Sequence, residues 1–147
     1  MYVYEVMETD VQTIHREATF KEIIDLLVTH KISGTPVIDD DRHLVGILSE
    51  KDLLQFLFPT EEEFYTDVEY WKNPHHLMSE AKRIVKMRAN DFLTREVITV
   101  RPRTKILTAC SLLLVHSIRR LPVIDDDKLV GIVTTNNLYR NFLQTLV

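Results

Sequence analysis

The sequence predicts a mixed α/β (α+β) protein made of two copies of a strand–helix–strand–strand–helix unit. Three observations lead there. GTPVIDDDRHLVGILSEKDL at residues 34–53 returns as RLPVIDDDKLVGIVTTNNL at 120–138. The echo continues upstream at a constant offset of 86 residues, pairing Thr13 with Thr99, Phe20 with Ile106, Leu27 with Leu113, His30 with His116 and Ile32 with Ile118. Within each copy the apolar pattern alternates between short branched runs and 3.6-residue spacing, the signatures of strand and helix. The offset falls to 85 between Gly46 and Gly131, so one residue is lost in the acidic stretch between the two blocks, where a turn tolerates it. A solenoid needs about three or more repeats, so two copies predict a closed pair around one shared core.

Taken in order, Met1 to Thr9 reads as a short strand or an arm, with Ala89 to Arg95 as its equivalent before the second copy. Val11 to Ile14 reads as a strand. Thr19 to His30 reads as a helix, with Phe20, Ile23, Ile24 and Leu27 on one stripe and Thr19 as N-cap ahead of Glu22. Gly34 to Ile38 and Leu44 to Leu48 flank Asp39 to His43 as a hairpin flanks its turn. Leu53, Leu54, Leu57 and Phe58 mark a helix from about Glu50 that stops at Pro59. The second copy repeats the order with Val97 to Val100, Lys105 to His116, Leu121 to Ile124, Leu129 to Val133 and Thr135 to Leu146. Its first helix adds Leu107, Leu114 and Val115 to the usual stripe, so two of its sides need cover. Between the copies, Pro59 to Arg88 opens with three glutamates, holds Phe64, Tyr65, Tyr70 and Trp71, breaks at Asn73-Pro74 and resumes as a helix over about Leu77 to Met87. Its aromatic density predicts an insertion that packs. The expected organisation is thus 1–58 for the first copy with its arm, 59–88 for a helical insertion and 89–147 for the second copy.

The totals narrow the function. A chain of 147 residues is long enough for a sizeable core, and 45% apolar content fits a globular protein. Eighteen basic residues against 22 acidic leave a net charge of −4, with no surplus to neutralise a phosphate backbone. No apolar run reaches the roughly 18 residues of a membrane span, and MYVYEVMETD lacks a signal peptide's organisation, which predicts a cytoplasmic protein. Cys110 is the one cysteine, so an internal disulfide and a multi-cysteine metal site are excluded, and its apolar run predicts a buried, inert thiol.

The two units resemble the repeats of the CBS domain family, named after cystathionine β-synthase and used in pairs as Bateman modules. The residues that carry the resemblance are GTPVID at 34–39 with LVGILSEKDL at 44–53, and RLPVID at 120–125 with LVGIVTTNNL at 129–138. The resemblance implies two βαββα units related by a pseudo-twofold, with clefts that bind adenosine-containing ligands such as AMP, ADP, ATP or S-adenosylmethionine. Carried over by position, one cleft joins Thr99 and Thr104 to Ser33, Ile47, Ser49, Lys51 and Asp52. The other joins Thr13 and Ala18 to Arg119, Ile132, Thr134, Asn136 and Asn137. The chemistry suits the residues: an acid at a strand-to-helix junction accepts ribose hydroxyl protons, hydroxyls and helix amides receive phosphate, and an arginine grips it in a fork. Two departures stand out. Asn137 occupies the place of the ribose-binding Asp, and Ser33 occupies the place of Arg119, which leaves Lys51, Arg101 or Arg103 as phosphate partner in the first cleft.

Other roles compete for the same residues. Asp52 and Asn137 also suit helix capping, and Arg119 with Arg120 suits a solvated edge. Asp39 to Asp41 and Asp125 to Asp127 look like metal ligands but sit where turns favour Asp. His30 and His116 lie at helix ends, and the adjacent His75 and His76 cannot share one face. Three glycines form no phosphate loop, and no catalytic signature frames the Ser, His and Asp residues. The reading is therefore a non-enzymatic regulatory sensor of adenine nucleotides, with no catalytic cofactor and no metal, acting as a homodimer on a protein effector. A ligand-free dimerisation or interaction module is the first alternative. Nucleic-acid binding through Lys82, Arg83, Lys86 and Arg88 on one helix is the second.

Overall fold

The computed structural model describes residues 1–147. After a 3-10 turn at Val3–Glu5, the elements run β1 (Ile14–His15), α1 (Phe20–Thr29), β2 (Gly34–Ile38), β3 (Leu44–Ser49), α2 (Glu50–Leu57), α3 (Glu61–Thr66), α4 (Val68–Lys72), α5 (Pro74–Ile84), α6 (Ala89–Phe92), α7 (Ile106–Val115), β4 (Arg120–Asp125), β5 (Lys128–Thr134) and α8 (Thr135–Gln144). The mixture of helices and strands is the α/β class that the sequence predicts. The chain separates into two compact units: a first-copy unit of Thr13–Asp39 and Val45–Arg95, and a second-copy unit of Met1–Gln12, Asp40–Leu44 and Glu96–Val147.

In the first-copy unit the strand order is β1-β2-β3, with β1 parallel to β2 through Ile14 opposite Val37 and His15 opposite Ile38. The helix expected at Thr19 to His30 forms as α1, and Thr19 Oγ1 accepts the Glu22 N–H at 3.2 Å, filling one of the donors a helix start leaves open. Its end is a Schellman motif: Ile32 N–H reaches the Leu27 carbonyl at 3.1 Å, Lys31 N–H reaches that of Val28 at 3.3 Å, and Lys31 takes a φ of 51°. Ile23 and Leu27 on the buried stripe join Ile14, Ala18, Val37, Leu48, Leu53, Ile84, Ala89 and Phe92 in one apolar cluster. Phe92 stands edge-on to Phe56, with ring centroids 5.1 Å apart.

In the second-copy unit, β4 and β5 pair antiparallel from Arg120 opposite Thr134 to Asp125 opposite Lys128. Asp126 and Asp127 close the hairpin with φ of 51° and 63°, the two left-handed residues of a type I′ turn. The strand expected at Val97 to Val100 shrinks to a single parallel bridge between Val100 and Val123. Val100 still donates to the Pro122 carbonyl at 3.0 Å and accepts from Ile124 at 2.8 Å, so its backbone is satisfied without a ladder. The cluster here is Val3, Val100, Ile106, Ala109, Cys110, Leu113, Leu121, Val123, Val133 and Leu138. Each unit thus has an apolar cluster of its own. In α7 the second apolar stripe is left outside, with Leu107 60%, Leu114 67% and Val115 77% exposed.

Residues 1–12 fold with the second copy, and 89–95 fold with the first. Main-chain bonds settle this placement. Val3 N–H donates to the Thr104 carbonyl at 2.8 Å, and Glu8 and Ile132 exchange bonds at 2.9 and 3.0 Å. In the other unit Thr94 and Ile47 exchange theirs at 2.8 and 3.0 Å. The insertion is helical as expected, and Asn73 caps α5 with Pro74 as its first residue. Ile84 carries it into the first-copy cluster, but α3 and α4 bury no residue. Their aromatics pair locally instead: Phe64 with Tyr65, Tyr70 with Trp71, and Tyr70 with His76 of α5.

Candidate ligand-binding site

Each copy has the same junction where its last strand becomes its last helix. In the first, Ser49 Oγ accepts the Asp52 N–H at 3.2 Å, while Asp52 Oδ2 accepts the Ser49 N–H at 2.8 Å and the Ser49 hydroxyl at 2.9 Å. In the second, Thr134 Oγ1 accepts the Asn137 N–H at 3.3 Å, and Asn137 Oδ1 accepts the Thr134 N–H and hydroxyl at 2.9 and 2.8 Å. Both are reciprocal capping boxes, so Asp52 and Asn137 do cap their helices. The cap engages one side-chain oxygen in each case. The other terminal atom, Asp52 Oδ1 or Asn137 Nδ2, faces away from the cap and is where the copies differ.

Six more of the predicted residues lie next to these junctions. Ser33, exposed, is tied in by the Glu50 N–H on its carbonyl at 2.9 Å, and Arg119, also exposed, by the Thr135 N–H at 3.0 Å. Lys51 and Asn136 are exposed on the first turns of α2 and α8. Ile47 is half-buried and Ile132 buried, each on the strand before its junction. The first-copy unit thus collects Ser33, Ile47, Ser49, Lys51 and Asp52, and the second-copy unit Arg119, Ile132, Thr134, Asn136 and Asn137. Thr13 and Ala18 lie in the first-copy unit, and Thr99 and Thr104 in the second. Ala18 is a core residue, 5% exposed, and its backbone is spent on His15 and Ala89. Thr104 Oγ1 accepts the Arg101 N–H at 3.0 Å, which shapes the turn before α7, whereas Thr99 is exposed.

Sequence reasoning missed two residues. Thr94 donates its hydroxyl to Asp52 Oδ1 at 3.3 Å, and Glu8 Oε1 accepts from Asn137 Nδ2 at 3.3 Å. The signal was present, since Glu8 and Thr94 stand at the same offset of 86 as the rest of the repeat. The basic stretch does not form one helical face. Helix α5 ends at Ile84, before Lys86 and Arg88; Arg83 pairs with Glu80 at 3.1 Å, and Arg88 donates to the Glu17 carbonyl at 2.6 Å. A depression on the insertion, lined by Glu62, Glu63, Thr66, Asp67, Tyr70 and Trp71, has the wrong charge for a phosphate.

The fold and these junctions define a tandem-repeat α/β protein with the same strand-to-helix junction in each copy. The CBS domain pattern matches residues 3–59 and 89–143, and the chain belongs to the CBS domain family. It is 34% identical over 142 residues to the CBS domain-containing protein CBSX1, chloroplastic, of Arabidopsis thaliana, covering 92% of this chain and 60% of that protein's length. An uncharacterized protein of Methanocaldococcus jannaschii is 30% identical over 150 residues, covering 94% of this chain and 89% of that one. The crystal structure of CBSX2 in complex with AMP superposes with a TM-score of 0.75 at 30% identity, covering 99% of this chain and 98% of the other. No helix is long and apolar enough to cross a membrane.

Proposed function

We propose that the chain is a regulatory module that binds an adenosine-containing ligand (AMP, ADP, ATP or S-adenosylmethionine) and passes occupancy on as a change in conformation. One site takes Ser33, Ile47, Ser49, Lys51 and Asp52 with Thr99 and Thr104. The other takes Arg119, Ile132, Thr134, Asn136 and Asn137 with Thr13 and Ala18. The observation that carries the reading is the capped junction itself: the cap engages Asp52 Oδ2 and leaves Oδ1, which accepts the Thr94 hydroxyl at 3.3 Å, with lone pairs for a further donor, while Ser33 and Lys51 of the same unit are exposed. The likeness to CBSX2, crystallised with AMP, supports it. A ligand that prefers one arrangement of the repeats shifts the population toward it, by no more than its differential affinity.

Thermal unfolding with AMP, ADP, ATP and S-adenosylmethionine tests this. Linkage gives about 2.7 kcal/mol at a ligand concentration 100 times the dissociation constant. Asp52→Ala and Arg119→Ala should each remove part of the ligand-induced increment, read against the same variant without ligand because Asp52 also caps α2. An unmoved midpoint with every ligand would refute the reading.

The exposed Leu107, Leu114 and Val115 support a second element, a homodimer formed through α7. Sedimentation at micromolar concentration should give a dimer that Leu114→Glu splits. A dimer without any ligand response would favour the interaction-module reading.

A further inference from the structure

We propose that Glu8 supplies the ribose-binding carboxylate of the second-copy site, in place of the acid missing at position 137; this rests on the adenosine reading above. In the first copy the outward atom of the capping side chain is an acceptor, Asp52 Oδ1. In the second, the Thr134 N–H and hydroxyl claim Asn137 Oδ1, which fixes the orientation of the amide and turns Nδ2 outward. A ribose diol presents two hydroxyl protons, and an amide NH2 accepts neither. Glu8 answers both needs. Its Oε1 takes the Nδ2 proton at 3.3 Å, and a carboxylate has further lone pairs to offer.

Its position is built in. Glu8 is fixed to Ile132 by reciprocal backbone bonds, as Thr94 is fixed to Ile47 in the other copy. Each side chain then reaches the third residue of the adjoining helix: Thr94 to Asp52, Glu8 to Asn137. Both pairs contain one carboxylate and one neutral hydrogen-bonding group, with their places exchanged. The second copy has therefore moved its acid from the helix to the arm. Glu8 is exposed, so its carboxylate is open to a ligand as well as to Asn137.

Calorimetric titration of the intact protein with AMP and ATP, and with their 2′-deoxy counterparts, tests the assignment. The proteins are wild type, Glu8→Gln, Asp52→Asn, the Glu8→Gln/Asp52→Asn double variant and the exchange variant Glu8→Thr/Asn137→Asp. Glu8→Gln should weaken nucleotide binding at one site about tenfold, the worth of one charge-assisted hydrogen bond, and erase that site's preference for the 2′-hydroxyl. The exchange variant, which writes the first copy's arrangement into the second, should restore both. Asp52→Asn should act on the other site only. Retained 2′-hydroxyl preference in the double variant, or loss of all binding with Asp52→Asn alone, would overturn the assignment and leave adenosine binding standing. Failure of the wild type to bind either nucleotide would overturn both.

Discussion

Replacing Gly46 by alanine should destabilise the protein far more than the same change at Gly131, although the two occupy equivalent places in the repeat. Neither glycine has a positive φ, so backbone conformation is not the reason for either. The reason is the segment that crosses the strand. A Cβ on Gly46 would fall onto the Thr94 carbonyl oxygen, closer than real atoms approach, and within 2.7 Å of Leu93 Cδ1. The carbonyl is held at that spot by the Ile47 N–H, so relief requires pulling the Thr94–Ile47 bridge apart. Two hydrogen bonds at about 1 kcal/mol each, plus about 1–3 kcal/mol of overpacking, oppose a gain of about 0.4–1 kcal/mol from a stiffer unfolded chain. The net cost is about 2–5 kcal/mol. On Gly131 the Cβ would meet Met7 Sδ at 2.7 Å and the Glu8 carbonyl oxygen at 3.0 Å. Methionine swings aside readily, so about 1 kcal/mol is expected there. Urea unfolding followed by circular dichroism reads both values. A Gly46→Ala variant within about 0.5 kcal/mol of wild type, or a larger loss at Gly131, would refute the crossing-segment argument.

Helix starts and the buried thiol provide further tests. Lys105 holds the N-cap place of α7 with no side-chain cap, where the first copy has Thr19. Lys105→Thr should stabilise the protein and Thr19→Ala should cost about 1 kcal/mol, both measurable by urea unfolding. Burial raises the Cys110 pKa above its ordinary value. The thiol should therefore resist alkylation in the native protein and react once urea unfolds it. Above the ordinary thiol pKa the unfolded chain releases this proton while the folded one retains it, so stability falls as pH rises through that range and is unaffected below it. The difference in unfolding free energy between wild type and Cys110→Ala should shift against wild type from pH 7 to pH 9.5.

Much of this was legible in the residues. The offset of 86 makes Val100 the equivalent of Ile14 and Val123 that of Val37, and the parallel bridge from Ile14 to Val37 in one unit returns as that from Val100 to Val123 in the other. Capping and turn residues placed α1, α2, α5 and both hairpins to within a few positions, because those signals are local. What was not legible depends on main chain meeting main chain across long separations. Glu8 binds Ile132 through peptide groups that every residue type possesses, so nothing in the side chains announced that the first arm folds with the second copy. The glycines of the two Val-Gly-Ile blocks were the trace of that crossing, since each leaves room for the segment above it. That Asp52 suits a cap was visible, but only the geometry gave Oδ2 to the cap and Oδ1 to Thr94. The strand at Val97 to Val100 failed because only Val100 of that run is buried, and one bridge to β4 satisfies its backbone.

The exchange of arms sets the order in which the protein can be completed. Every segment of the first-copy unit lies between residues 13 and 95, so it can close once that stretch has left the ribosome. The second-copy unit needs Val3 and Glu8 against Thr104 and Ile132, a loop of more than a hundred residues already occupied by a folded neighbour. Until residues 102–106 and then β5 are synthesised, the arm that belongs on them has no partner. A nascent chain paused before that point would therefore present one finished unit and an unpaired N-terminal segment, and a cut in the insertion would leave both halves carrying the wrong arm.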